Sequence, residues 1–222
     1  MGLNRQKGNM YGFVTHTWNT VKGECSHDCS YCYMKRWGTQ NPVRFDEKEL
    51  KTDLGVGHTV FVGSSNDMFA QTVPDEWIEK TLSHCKEYPN NWYLFQTKNP
   101  MRYGFFSRNQ FPKNTVLCST IETNRTHPEI MGNTPSPAMR AGFMREMVDS
   151  FYTMITIEPI IDFDLDDFVE LILLANPTIV AIGADTGHNN LPEPSPDKIR
   201  DLIEHLEVGE IDVRLKPNLD RI

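Results

Sequence analysis

The 222-residue sequence has no apolar run long enough to span a bilayer, and its opening "MGLNRQKGNMYGFV" lacks the apolar core of a secretory leader. Met1-Gly2 resembles the start of a myristoylation signal, but Gln6 stands where Ser or Thr is wanted. Cysteine is scarce: five residues, an odd number, three crowded together and two isolated. That pattern does not suit a disulfide framework, so a reducing, cytoplasmic location is expected. Cations are outnumbered, 22 Lys and Arg against 30 Asp and Glu. A net charge of −8 argues against a surface coated with phosphate-binding residues and leaves room only for a local basic track. No G-x-S-x-G or phosphate-loop pattern occurs, which removes the usual hydrolase and nucleotide-triphosphatase readings. "LGVGH" is glycine-rich but precedes a strand rather than following one, so it reads as a turn. Repeats, linkers and low-complexity tracts are also missing, and a single domain over residues 1–222 is expected.

What is present is an alternation of short β-branched runs with amphipathic ones. "HTVFVG", "NWYLFQ", "TVLCST", "YTMITIEP", "TIVAIGA" and "IDVRLKP" read as strands, with a first strand near residues 13–17. Between them, "DEWIEKTLSHCKEY" places Trp77, Ile78, Leu82 and Cys85 on one helical face. "SPAMRAGFMREMVDSF" has Ser136 as cap and Pro137 at the first helical position, with Met139, Phe143, Met144 and Met147 expected inward. "DFDLDDFVELILLANP" opens on acids suited to a helix N-terminus, and "SPDKIRDLIEHLEVG" is capped by Ser195. Strand–helix alternation throughout predicts an α/β fold with a parallel sheet. About seven strands fall short of a closed eight-stranded barrel, so a partial barrel is expected, with functional residues where strands end and βα loops begin.

Cys25, Cys29 and Cys32 lie within "GECSHDCSYCYMKR". Structural zinc normally takes four Cys or His ligands in two spaced pairs, and no second pair follows. Cys85, on a helix face, and Cys118, within a strand, are expected in the core. An iron–sulfur cube held by three thiolates instead leaves one iron open to a substrate or cofactor. Spacing of three and then two residues, with aromatic Tyr31 before the last cysteine, resembles the radical S-adenosylmethionine superfamily. That resemblance implies a partial (βα)6-type barrel with the cluster loop after the first strand. It also implies a 4Fe–4S cluster on Cys25, Cys29 and Cys32 that reductively cleaves S-adenosylmethionine to a 5′-deoxyadenosyl radical. "HTWNTVKGECSHDCSYCYMKRW", "VFVGSSNDMF", "FQTKNP", "STIETN", "TIEPIID", "IGADTG" and "VRLKP" together resemble a phage and prophage family of unassigned activity, related to the spore photoproduct lyase branch. The cysteine loop here is shorter than is common in that family.

The same resemblance implies cofactor contacts. Tyr31 is expected near adenine. Gly63, Ser64, Ser65, Asn66 and Asp67 are expected at the amino group, Ser119, Glu122 and Asn124 at the ribose, and Glu158 with its neighbours near adenine. A flavodoxin- or ferredoxin-like reductant and hydrogen abstraction from a substrate follow, with a nucleotide or nucleic-acid base as candidate substrate and no membrane partner. No catalytic residue beyond these is assigned. Lys98 and Lys216 are placed either to pair with Glu122 or Glu158 or to meet substrate. His16, His27 and His188 are not assigned as general bases. The acids from Asp162 to Asp167 read as a helix-capping face. Lys98, Arg102, Arg108, Lys113 and Arg125, interleaved with Tyr103, Phe105 and Phe106, read either as a nucleic-acid track or as a solvated helix, the latter slightly favoured by the net charge. The rival to the enzyme is a zinc- or iron–sulfur-binding structural or adaptor protein without radical chemistry.

Overall fold

The computed structural model describes residues 2–6 and 10–222; Met1, the start of the myristoylation-like motif, lies outside them. In chain order the elements are β1 (Asn4–Arg5), β2 (His16–Trp18), β3 (Val21–Lys22), β4 (Arg44–Phe45), β5 (Thr59–Val62), α1 (Asp75–Lys86), β6 (Trp92–Thr97), β7 (Thr115–Thr120), α2 (Pro128–Met131), α3 (Pro137–Arg145), β8 (Tyr152–Ile157), α4 (Leu165–Ala175), β9 (Ile179–Ile182), α5 (Pro196–Val208) and β10 (Asp212–Leu215). Eight strands form one sheet in the order β1-β2-β5-β6-β7-β8-β9-β10. β1 runs antiparallel to β2, and every other pairing in this sheet is parallel. The expected α/β partial barrel is therefore present. The short β1 and the two-stranded β3–β4 sheet carried no apolar alternation that would have revealed them.

Period-two alternation divides each strand between two cores. Val60, Val62, Tyr93, Phe95, Leu117, Ile155, Ile157, Val180 and Ile182 belong to the large core with residues from all four long helices, including Ile78, Met144, Phe168 and Leu202. Phe61, Leu94, Val116, Cys118, Met154 and Ala181 face the other way and pack on Tyr11 and Val14. Residues from 10 to 14 thus line the concave face, which explains why apolar residues run unbroken along the central strands.

Helix signals hold in detail. Ser136 accepts from the Met139 amide and Ser195 from the Lys198 amide, both at 3.3 Å. Cys85 and Cys118 are core residues, as expected. Two helix readings are corrected. α3 stops at Arg145, six residues short of the quoted run, and the chain continues as turns held by Met147, Ser150 and Phe151 amides. Met139 is exposed, and Arg140 takes the inward position because it has a buried carboxylate to meet. The acidic stretch is also more than a cap: Asp164, at the N-cap of α4, makes no side-chain cap bond. Asp162 and Asp164 instead bind Arg125, and Asp162 also binds Lys198.

Candidate functional site

The C-terminal ends of the parallel strands open into a cavity of ≈ 840 Å³. Cys25, Cys29 and Cys32 all line it and are free thiols, Cys29 buried and the others half-buried. Their loop follows β2, and a second segment backs it. Ser30 N–H donates to Ile130 O, Asn133 N–H to His27 O, and the Cys29 thiol to Met131 O at 3.2 Å. Gly132 makes this approach feasible: its φ is +64°, and a Cβ there would lie 2.0 Å from His27 O. Burial pushes the Cys25 thiol up to about 12, with the Asp67 charge adding to it. Burial also raises Cys29, against the opposing charge of Lys98. Thiols of this kind are protonated when free and need a strong Lewis acid to ionise. Among the described residues no three His, Cys, Asp or Glu side chains converge as a single metal ion requires. The donor set lining the cavity is three thiols, the ligand type that iron–sulfur clusters take.

The segment from Gly63 to Asp67 stands opposite. Gly63 has φ +84°, and the amide of Ser65 and the hydroxyl of Ser64 both donate to Asn19 Oδ1. Asn66 is buried and donates from Nδ2 to the Gly23 and Glu24 carbonyls, both at 2.9 Å. Its Oδ1 has no partner, a buried acceptor facing a need for a donor. Asp67, by contrast, is fully engaged by His27 Nε2 (2.8 Å), Thr97 Oγ1 (2.9 Å), and the Lys98 and Phe69 amides. Burial raises its pKa, but these donors outweigh burial and hold the carboxyl below its ordinary value. Asp67 therefore braces the segment, and His27 is its partner.

The three residues expected at the ribose do not line the cavity. Ser119 lies on the strand face opposite Cys118, so its hydroxyl bonds Thr97 O and turns away from the cavity. Asn124 bonds Asp164, outside the cavity lining. Glu122 is completely buried between Arg140 Nη1 and Lys98 Nζ, each 2.8 Å away, and receives the Tyr31 hydroxyl. Burial opposes its charge, yet Arg140 and Lys98 hold the carboxyl well below the usual carboxylate range. Lys98 Nζ also reaches Tyr31 Oη at 2.5 Å and lies 4.9 Å from the ring centre. Burial and the Glu122 charge keep the Tyr31 phenol protonated. Tyr31 lines the cavity; Glu122 acts through it.

Glu158 lines the cavity and pairs with Lys216 at 2.5 Å, one of the two roles expected for that lysine. Asn218 binds the other oxygen at 3.2 Å, and a Cβ on Gly183 would lie 2.9 Å from Glu158 Oε1. Lys216 Nζ stands 4.7 Å over the ring of Tyr11, whose hydroxyl donates to Gln96, which in turn donates to Thr120. Tyr11, Gln96, Thr120 and Asp185 also line the cavity and were missed in the sequence. Thr120 was legible once strand phase was known, since Cys118 and Thr120 share a face. Tyr11 and Arg140 gave no local signal. The basic track dissolves: Arg102 is buried on the Ala70 and Val73 carbonyls, Arg108 binds the Ser150, Pro112 and Lys113 carbonyls, and Arg125 binds acids.

No curated protein sequence matches the chain. Solved structures of spore photoproduct lyase share its fold. Two single-site variants superpose with TM-scores of 0.66 and 0.65 at 9% and 10% identity, over 95% of this chain and 78% of theirs. A double variant with bound AdoMet and dinucleoside spore photoproduct gives 0.61 at 12% identity, over 91% of this chain. The present chain spans only 64% of that protein's length. A family profile described as "Protein of unknown function (DUF5131)" matches residues 10–202, nearly the whole sheet and its thiol loop, and the chain belongs to that family.

Proposed function

We propose that the chain is a radical S-adenosylmethionine enzyme built on one core domain. The observation that carries this reading is that Cys25, Cys29 and Cys32, all free thiols, line one strand-end cavity. Cys25, Cys29 and Cys32 would hold the cluster, and Tyr31, Gly63, Ser64, Ser65, Asn66 and Glu158, which line the same cavity, would border S-adenosylmethionine. The orphaned Asn66 Oδ1 suits an ammonium group, which has donors and no acceptor. When bound and reduced, the cluster and S-adenosylmethionine supply a radical able to abstract hydrogen. The protein's residues then have ordinary tasks. Asp67 and His27 fix the segment from Gly63 to Asp67, Lys98 and Glu122 fix the Tyr31 ring, and Lys216 fixes Glu158. A flavodoxin- or ferredoxin-like reductant serves it in the cytoplasm.

A nucleotide or nucleic-acid base is the proposed substrate class, supported by the dinucleoside bound in a structure of the same fold. The alternative is a zinc- or iron–sulfur-binding structural or adaptor protein without radical chemistry. Anaerobic reconstitution tests the enzyme reading. The intact chain is expected to bind about four irons and four sulfides, the content of a 4Fe–4S cluster. It is also expected to release 5′-deoxyadenosine from S-adenosylmethionine with dithionite, and Cys29→Ala to lose both. One bound zinc with no iron, or a cluster that never cleaves S-adenosylmethionine, defeats it.

A further inference from the structure

The cavity mouth carries side chains that none of these roles uses. A short 3-10 helix, Tyr33–Trp37, follows Cys32 directly and buries none of its residues. Tyr33 is 47% exposed and Trp37 71% exposed. Single exposed apolar residues are ordinary, but two aromatic rings kept in water within one short turn, with cations between them, are a surface. Tyr33 is not free to fold away. Its hydroxyl donates to Ser64 O at 2.8 Å, and the Arg36 guanidinium lies 5.9 Å from its ring centre while Nε donates to Tyr33 O.

Charge follows the same stretch. Between Asp28 and Asp46 the sequence has Lys35, Arg36 and Arg44 and no acid. Lys35 is neutralised by Asp28 at 2.7 Å, whereas Arg36 and Arg44 meet no carboxylate among the described residues. Tyr33, Lys35 and Arg36 line the cavity itself, so the patch continues into it. A protein of net charge −8 thus sets an acid-free stretch with two exposed rings beside the thiol-lined opening, whose own lining holds Glu24, Asp28, Asp67, Glu158 and Asp185 as well as cations.

We propose that this rim binds a single-stranded polynucleotide, its bases stacked on Tyr33 and Trp37 and its phosphates on Arg36 and Arg44. Aromatic rings accept any base face, and guanidinium groups meet phosphates, so the rim holds a strand without reading its sequence. A base next to Tyr33 stands at the cavity entrance. The acid-rich remainder of the molecule repels the polyanion, which confines binding to this patch and makes it sensitive to salt. This deepens the enzyme reading above by assigning it a substrate class, but the binding itself requires neither cluster nor S-adenosylmethionine.

The test uses the full chain without metal and fluorescein-labelled oligonucleotides of about ten residues, within the site size of such surfaces. Single-stranded DNA, RNA of the same sequence and blunt DNA duplex are compared by anisotropy at low salt. Saturable binding to a single strand, weaker for the duplex and weakened by added salt, is expected. The DNA and RNA arms tell which polymer is preferred. Trp37→Ala is expected to weaken binding by about 5- to 100-fold, the worth of one stacked base, while Trp37→Phe keeps most of it. Arg36→Ala is expected to lower the salt slope by about 0.7, one phosphate on a single strand. Trp37 is so exposed that its replacement leaves the fold intact, which circular dichroism checks. No saturable binding to either single strand, unchanged affinity in Trp37→Ala, or preference for duplex overturns the proposal. A chain that binds single strands but never assembles a cluster keeps the rim and loses the enzyme reading; the reverse result does the opposite.

Discussion

Glu122 keeps a negative charge where no water reaches it, and it does so only because Arg140 and Lys98 stand on either side. Removing one partner from such a pair costs about 3–5 kcal/mol, since the other charge is left buried. Arg140→Met is therefore expected to lose that much stability in urea unfolding at neutral pH. The pH dependence carries a sign. Glu122's folded pKa is depressed, so its contribution is complete above the ordinary value of 4.5 and fades as pH falls through the folded pKa. The gap between wild type and Arg140→Met should narrow in acid; an equal gap at low and neutral pH would mean the loss is packing alone. At this scale the sequence was uneven. Tyr31 and Glu158 announced themselves by place, one beside a cysteine and one at a strand end. Arg140 did not, because a helix residue turned inward toward a carboxylate from another element leaves no periodic trace. Ser119 lies away from the cavity because period two puts it on the opposite face from Thr120, and the strand's phase is invisible in the sequence when both faces are buried.

Among elements, the strands of the parallel sheet and the four long helices were readable from periodicity and caps, since each buries a full stripe or face. The short pieces were not. α2 has four residues, too few for any pattern, yet it and Gly132 form the wall behind the thiol loop. Gly132→Ala tests that wall. The new methyl meets His27 O, and φ +64° disfavours any side chain. Strain of this kind costs about 1–3 kcal/mol, to be measured by thermal unfolding. The loop should also loosen, so Cys29 in the metal-free protein should react faster with a thiol reagent. An unchanged rate would mean that the loop holds itself. β10 offers a second element-scale test. It is joined to β8 across β9 by the Lys216–Glu158 pair, so Lys216→Met should loosen Glu158, still held by Asn218, and weaken the proposed binding of S-adenosylmethionine, read by calorimetry.

For the molecule as a whole, fold class was legible because strand–helix alternation admits few alternatives. The N-terminal residues that fill the concave face were not, because a segment lying across a sheet needs no period of its own. Charge behaviour is a property at this scale too. Asp46, Asp67, Glu122 and Asp162 all have folded pKa values held below their ordinary ones by cationic or hydrogen-bonding neighbours. Each stabilises the fold above the carboxylate range and loses that effect as pH falls through its depressed value. The melting temperature should be nearly level from pH 8 to about 5 and fall steeply below about 4. A steady decline beginning above pH 5 would point to histidines instead. Time enters through the wall behind the thiols. Cys29 rests on Met131, which is 102 positions further along the chain. At roughly 5–20 residues per second a ribosome needs about 5–20 seconds to make that stretch. The three thiols thus emerge as a loose tether and become a shaped site only after the stretch that backs them has been synthesised, so metal delivery during translation would meet a different ligand from the finished one.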